Sequence, residues 1–148
     1  MSENPKHIVN VINSQSGINV YSTIDRGNYA NRKLEGQYKS WDEAQSKTVV
    51  ELRGRDGFAR LYNGMKNLER LAVGAIVVRD AIGSITNSGE HNDLLPILGL
   101  IGMYFVTLIA GDINHNNAVL TENRLLALKK AAETNEPQHQ QIFPLGED

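Results

Sequence analysis

Residues 94–111 read LLPILGLIGMYFVTLIAG, a run in which Thr107 is the only conventionally polar side chain apart from the Tyr104 hydroxyl. A segment of this kind lies where two folds diverge. At 1.5 Å per residue it spans about 27 Å, close to the ~30 Å hydrocarbon core of a bilayer, and it equally suits a helix buried on all sides in a soluble bundle. Pro96 falls in the first turn, where a missing amide is tolerated, and Gly111 is placed for a C-terminal cap. Gly99, Gly102 and Gly111 suit close packing in either setting. The flanks weigh against spanning: Asp93 and Asp112 border the run directly, Lys and Arg are absent from Asp80 through Glu122, and neither end carries Trp. A buried core helix is therefore the expectation, with a membrane span as the alternative.

On the N-terminal side, Phe58, Leu61, Met65, Leu68, Ala72, Ala75, Val78, Ile82 and Ile85 are separated by threes and fours throughout. That spacing predicts a helix with one apolar stripe, roughly 40 Å long. A compact domain of this size has a radius of gyration of about 15 Å, so the stripe needs a second long helix or a second subunit to cover it. Phe58, Leu61, Met65, Leu68, Ala72 and Ala75 are accordingly the expected oligomer interface. Thr86 to Asp93 reads as a loop, with Asp93 as the N-cap of the next helix. In a membrane hairpin of 71–85 and 94–111, this acidic loop would lie outside and the basic flanks inside, as the positive-inside rule asks. Arg79 and Asp80 would then lie deep in the bilayer, each costing on the order of 3 kcal/mol.

Ser40-Trp41-Asp42-Glu43 has the spacing of a capping box, which starts a helix expected to run to about Arg53. Gly54-Arg55-Asp56-Gly57 is an expected break, although Glu51 with Arg55 and Asp56 with Arg60 are i,i+4 pairs that favour continuity. Asp112 to Asn117 reads as a polar turn, followed by an amphipathic helix over 118–134. Near the N-terminus, Ile8–Ile12 and Ile18–Ile24 flank the turn-rich Asn13 to Gly17 and predict a short β-hairpin. Asp25 to Ser40 reads as an irregular connector. The expected class is mainly α: a helical bundle with a long amphipathic helix, a buried apolar helix and a small N-terminal β-hairpin or extended arm. The corresponding divisions are an arm over 1–40, a helical domain over 41–134 and a mobile tail over 135–148.

Composition narrows function mainly by exclusion. The chain has 148 residues, 15 Lys and Arg against 17 Asp and Glu, and no Cys. There is thus no disulfide framework, thiol nucleophile or thiolate metal site, and a net charge of −2 gives no global attraction to nucleic acid. The start Met1-Ser2-Glu3-Asn4-Pro5-Lys6 has no apolar stretch of the kind a signal peptide needs, which makes the cytoplasm the expected location and membrane association the alternative. The 41% apolar content is concentrated in the two neighbouring helices. Residues 1–93 carry 12 basic and 11 acidic side chains and residues 94–148 carry 3 and 6, so the charge is uneven as well.

Candidate sites are few. Asp112 to Val119 places oxygen-bearing side chains at positions 1, 3 and 5 of an EF-hand-like loop, but Asn117 and Asn123 stand where Gly and a bidentate Glu are wanted. No metal site is expected. His91 and His115 bracket the apolar run too far apart to share an ion, and His7 and His139 are expected to be solvated. Tyr21, Arg26, Tyr29, Arg32, Lys33, Tyr38, Lys39 and Trp41 interleave basic and aromatic residues, as single-stranded nucleic-acid binders do, with Tyr29, Arg32 and Lys33 as its candidate contacts. Asp25, Glu35, Asp42 and Glu43 dilute that signal. No GxSxG, Walker A, GxGxxG or HExxH motif appears, so no catalytic residue and no cofactor is expected. The leading expectation is a non-enzymatic structural or interaction protein, a homo-oligomer with a protein partner as a further option. A small membrane protein using 94–111 is the first alternative, and single-stranded nucleic-acid binding the second.

Overall fold

The computed structural model describes residues 5–26, 30–86, 94–134 and 137–145. Four strands and two helices follow in the order β1 (Lys6–Ser14), β2 (Gly17–Asp25), β3 (Ala30–Tyr38), α1 (Trp41–Thr86), α2 (Leu94–Thr134) and β4 (Gln138–Pro144). The chain divides into two compact units: residues up to Gly54 with those from Asn117 onward, and the helical hairpin Arg55–Asn116.

In the first unit, alternation of apolar and polar residues produces an antiparallel sheet of order β3-β2-β1-β4. His7, Val9 and Val11 on β1, and Ile18, Val20 and Ser22 on β2, fall on one buried face at the two-residue period of a strand. Val11 pairs with Val20, and Gly17 opens β2 with φ of +120°, where a Cβ would strike the Tyr38 carbonyl. Against this face pack Ala44 of α1 and Ala127, Leu128 and Ala131 of α2, with Tyr38, Trp41 and Phe143 closing the margins. The alanines let helix backbone approach the valine-covered sheet closely.

This architecture corrects the expected class. The helices remain the larger part, but the sheet is integral rather than a small N-terminal hairpin or arm. The Asp25 to Ser40 connector supplies β3, and the segment read as a tail supplies β4, whose Val11↔His139 and Ile8↔Ile142 pairings make it the outer neighbour of β1. Neither β3 (ANRKLEGQY) nor β4 (QHQQIFP) has a clean apolar alternation, because both are edge strands with little to bury. The breaks expected at 54–57 and 112–117 are helical. Two glycines cost only about 1 kcal/mol each in a helix interior, which neighbouring turns and i,i+4 charge pairs offset. Of the loop expected over 86–93, Thr86 is the last residue of α1, and the rest, with His91 and Asp93, lies outside the described residues.

The capping box forms at the start of α1. Glu43 N donates to Ser40 Oγ at 3.2 Å, and the Glu43 carboxylate reaches back to accept from Lys39 N at 2.8 Å. The bond to Lys47 and then that amide hold the Glu43 carboxyl below its ordinary range.

Candidate functional site

In the hairpin unit, the buried positions among the described residues are polar: Glu69, Thr107 and Asn114. Thr107 Oγ1 donates to Glu69 Oε1 at 2.9 Å, Asn114 Nδ2 donates to the Arg55 carbonyl at 2.9 Å, and Arg70 donates to the Tyr104 hydroxyl at 3.0 Å. Lys66 lies beside Gly111, where a side chain on α2 would meet it. Polar groups thus join α1 to α2, as the small and hydroxyl-bearing contacts of helices in apolar surroundings do.

Apolar side chains face outward. Among the described residues, 18 large hydrophobic side chains are exposed and 14 of them fall within Arg55–Asn116. Leu71 is 71% exposed, Val106 68% and Phe105 58%. Within Pro96–Thr134 of α2, the most apolar 18-residue window is only 6% buried, so the core helix expected for 94–111 is corrected to a largely uncovered one. The stripe residues follow suit: Phe58, Leu61, Leu68 and Ala75 are exposed, and Met65 and Ala72 are half-buried.

The register of the hairpin settles where the charges fall. Glu69 stands opposite Thr107, so ten residues onward on α1 and ten back on α2 place Arg79 level with Ile97. Arg79 and Asp80, an ion pair at 3.6 Å, therefore lie about 5 Å from the Leu94 end of the apolar run rather than deep within it. By the same count Arg70 lies about 8 Å from the Gly111 end. Between them Leu71 to Val78 carries no charge.

The first unit holds a polar cluster that sequence spacing did not reveal. His7 Nε2 is 2.6 Å from Ser22 Oγ, and Asn123 Nδ2 is 3.3 Å from His7 Nδ1. Since the Asn123 amide donates to Nδ1, the ring proton sits on Nε2 and is given to Ser22. His7 is thus no base for the Ser22 hydroxyl; the pair satisfies buried polar atoms. Burial first, then the Arg124 charge, pushes the imidazole down to about 4 from 6.5, against a smaller opposing effect of Glu35. Arg124 donates to Glu51 Oε1 and Thr121 Oγ1, both at 2.9 Å, and lies 3.6 Å from Glu35. A bulge opposite Val20 and Tyr21 skips Glu35 in the β2–β3 pairing.

His7 and His139, expected to be solvated, are both buried within the sheet. Of the nucleic-acid candidates, Arg32 stacks over the Tyr21 ring at 4.2 Å, Lys33 pairs with Glu35 at 3.3 Å, and Tyr29 lies outside the described residues. Tyr38 and Trp41 pack on the core. No group of three or more metal-ligating side chains occurs among the described residues, and the EF-hand-like segment is helical. No family model matches the chain, and comparison with curated proteins and with solved structures gives no match.

Proposed function

We propose that this is a membrane-anchored structural protein whose hairpin, Leu71–Thr86 with Leu94–Gly111, inserts into a lipid bilayer. The observation that carries this reading is the 6% burial of the apolar window of α2: uncovered apolar surface on this scale needs lipid or protein over it. The hairpin register supports it further. Placing Arg70 and Arg79 toward opposite ends of the apolar run lets both guanidinium groups snorkel to the headgroups, which lowers the insertion cost that a central position would impose. The basic residues Arg53, Arg55, Arg60, Lys66 and Arg70 precede the span, and no Lys or Arg occurs in the 80–122 segment. The positive-inside rule then puts residues 87–93 on the far side of the membrane.

Membranes from cells expressing the full chain are washed with alkaline carbonate. Retention in the pellet is the expected result; recovery in the high-speed supernatant without detergent overturns the reading.

A second reading, self-association, is favoured by the exposed side chains that the proposed span leaves uncovered. Phe58, Leu61 and Ile113 are each more than half exposed and lie beyond Leu71 and Gly111. A second copy covers them in a homo-oligomer. Light scattering that gives the mass of one chain across micromolar concentrations removes this reading.

A further inference from the structure

Arg70 stands where two apolar grooves meet. One, of about 580 Å³, runs along α1 over Leu71, Gly74, Ala75 and Val78; the other, of about 310 Å³, lies between the helices over Val73, Leu100, Ile101 and Tyr104, with Glu69 also in its lining. Arg70 lines both and is exposed, and its guanidinium is held by the Tyr104 hydroxyl at 3.0 Å and over the Tyr104 ring at 5.7 Å. Gly74, in the lining of the first groove, faces open space, with nothing within 4 Å of where its Cβ would be.

A fixed cation between two apolar channels matches the chemistry of a diacyl phospholipid, with its phosphate on the guanidinium and one acyl chain in each groove. Charge selects among phospholipids. Residues 53–70 hold five basic side chains against Asp56 and Glu69, and the Glu69 carboxylate is turned inward to Thr107. Basic clusters beside a span attract anionic headgroups. A second copy of the chain fits less well, because the α1 groove is bordered by Arg70 and Arg79 with no acidic residue in its lining.

We propose that Arg70 and these two grooves form a binding site for an anionic phospholipid of the bilayer. The inference rests on the membrane reading above.

The full chain is reconstituted into vesicles of phosphatidylcholine with roughly a third phosphatidylglycerol. It is then extracted in mild detergent, and the lipid that stays bound is measured by native mass spectrometry. Phosphatidylglycerol is expected to be enriched over its share in the vesicle, and Arg70→Gln to reduce that enrichment about fivefold. Arg53→Gln, at a residue that lines neither groove, is expected to keep most of it. Carbonate washing of the same vesicles reads insertion separately. Retention in the vesicles with no headgroup preference, or a preference unchanged in Arg70→Gln, overturns the lipid site and leaves the membrane reading standing. Release by carbonate overturns both.

Discussion

In the sheet-bearing unit, Val9, Val11, Val20 and Leu128 are at most 1% exposed and form an apolar core, beside which the buried His7, Asn123 and Arg124 are paired with polar neighbours. In the hairpin unit, Glu69, Thr107 and Asn114 take the inside, while Leu68, Leu71, Phe105 and Val106 take the outside. Both patterns come from the same chain, so composition does not separate them. Burying one Leu, Val or Phe side chain is worth about 1.5–3 kcal/mol, and the hairpin leaves 14 large apolar side chains exposed. The first unit buries its apolar side chains against one another; the second leaves most of its described large apolar side chains exposed. What the contrast teaches is that exposure must be read beside what is buried.

The largest expected effect tests the conventional half of that contrast. Leu128 is 1% exposed and packs with Val9, Val11 and Ala44 in one core cluster, so Leu128→Ala removes packed volume that rigid sheet neighbours cannot refill. A loss of about 2–5 kcal/mol is expected. Urea titration followed by fluorescence of Trp41, the sole tryptophan, reads it, because that ring packs on the same core.

A pH dependence of about 3 kcal/mol follows from His7. The folded imidazole titrates near 4 and the unfolded one near 6.5, so between these values the unfolded chain binds more protons. The contribution is full above pH 6.5 and is lost as pH falls toward 4. His7→Gln should flatten the stability profile across that window; an unchanged profile would show that the imidazole is hydrated in the folded state.

The hairpin interior is tested by Thr107→Val, which keeps the shape and removes the hydroxyl that donates to Glu69. A buried carboxylate that loses its donor costs about 1–3 kcal/mol. Thermal unfolding in detergent micelles, followed by far-UV circular dichroism, is expected to move down in the variant. No change would mean that the polar groups do not hold the two helices together.

How far the sequence discloses each region follows the same division. The β1–β2 hairpin is legible because Val9, Val11, Ile18 and Val20 alternate with polar residues, and the α1 start because Ser40 and Glu43 keep the capping spacing. β3 and β4 are not legible: edge strands bury little, and β4 pairs with β1 across more than a hundred residues of sequence. Helical periodicity in Phe58 to Ile82 is plain, yet periodicity states which residues share a face and not what covers that face. The run in α2 reads as a core helix in sequence although it is largely uncovered, because a buried helix and an exposed one can be equally apolar. The register set by Glu69 and Thr107 distinguishes the levels of Arg79 and Arg70, and no local pattern encodes that pairing. The His7, Ser22 and Asn123 cluster was equally hidden, its members being brought together by the β1–β2 register and by α2.

Ser40→Ala, which removes the acceptor at the first turn of α1, should destabilise the first unit by about 1 kcal/mol in the Trp41 titration. The Glu43 to Lys39 bond survives the change and limits the loss. An effect as large as that of Leu128→Ala would mean that the helix start, and not the apolar core, governs this unit.

The smallest effect is the most informative, because it repeats the first substitution on the other side of the comparison. Leu68 is 68% exposed, so Leu68→Ala leaves no cavity and should change the stability of the chain by less than about 0.5 kcal/mol. The same side chain deleted at Leu128 costs several times more, and the ratio measures how differently the two units use leucine. If Leu68 instead faces a second copy, the loss grows with protein concentration in the native assembly and vanishes on dilution. Urea titrations of Leu68→Ala at concentrations a hundredfold apart separate these cases: coincident curves leave lipid or solvent over Leu68, whereas divergent curves put protein there.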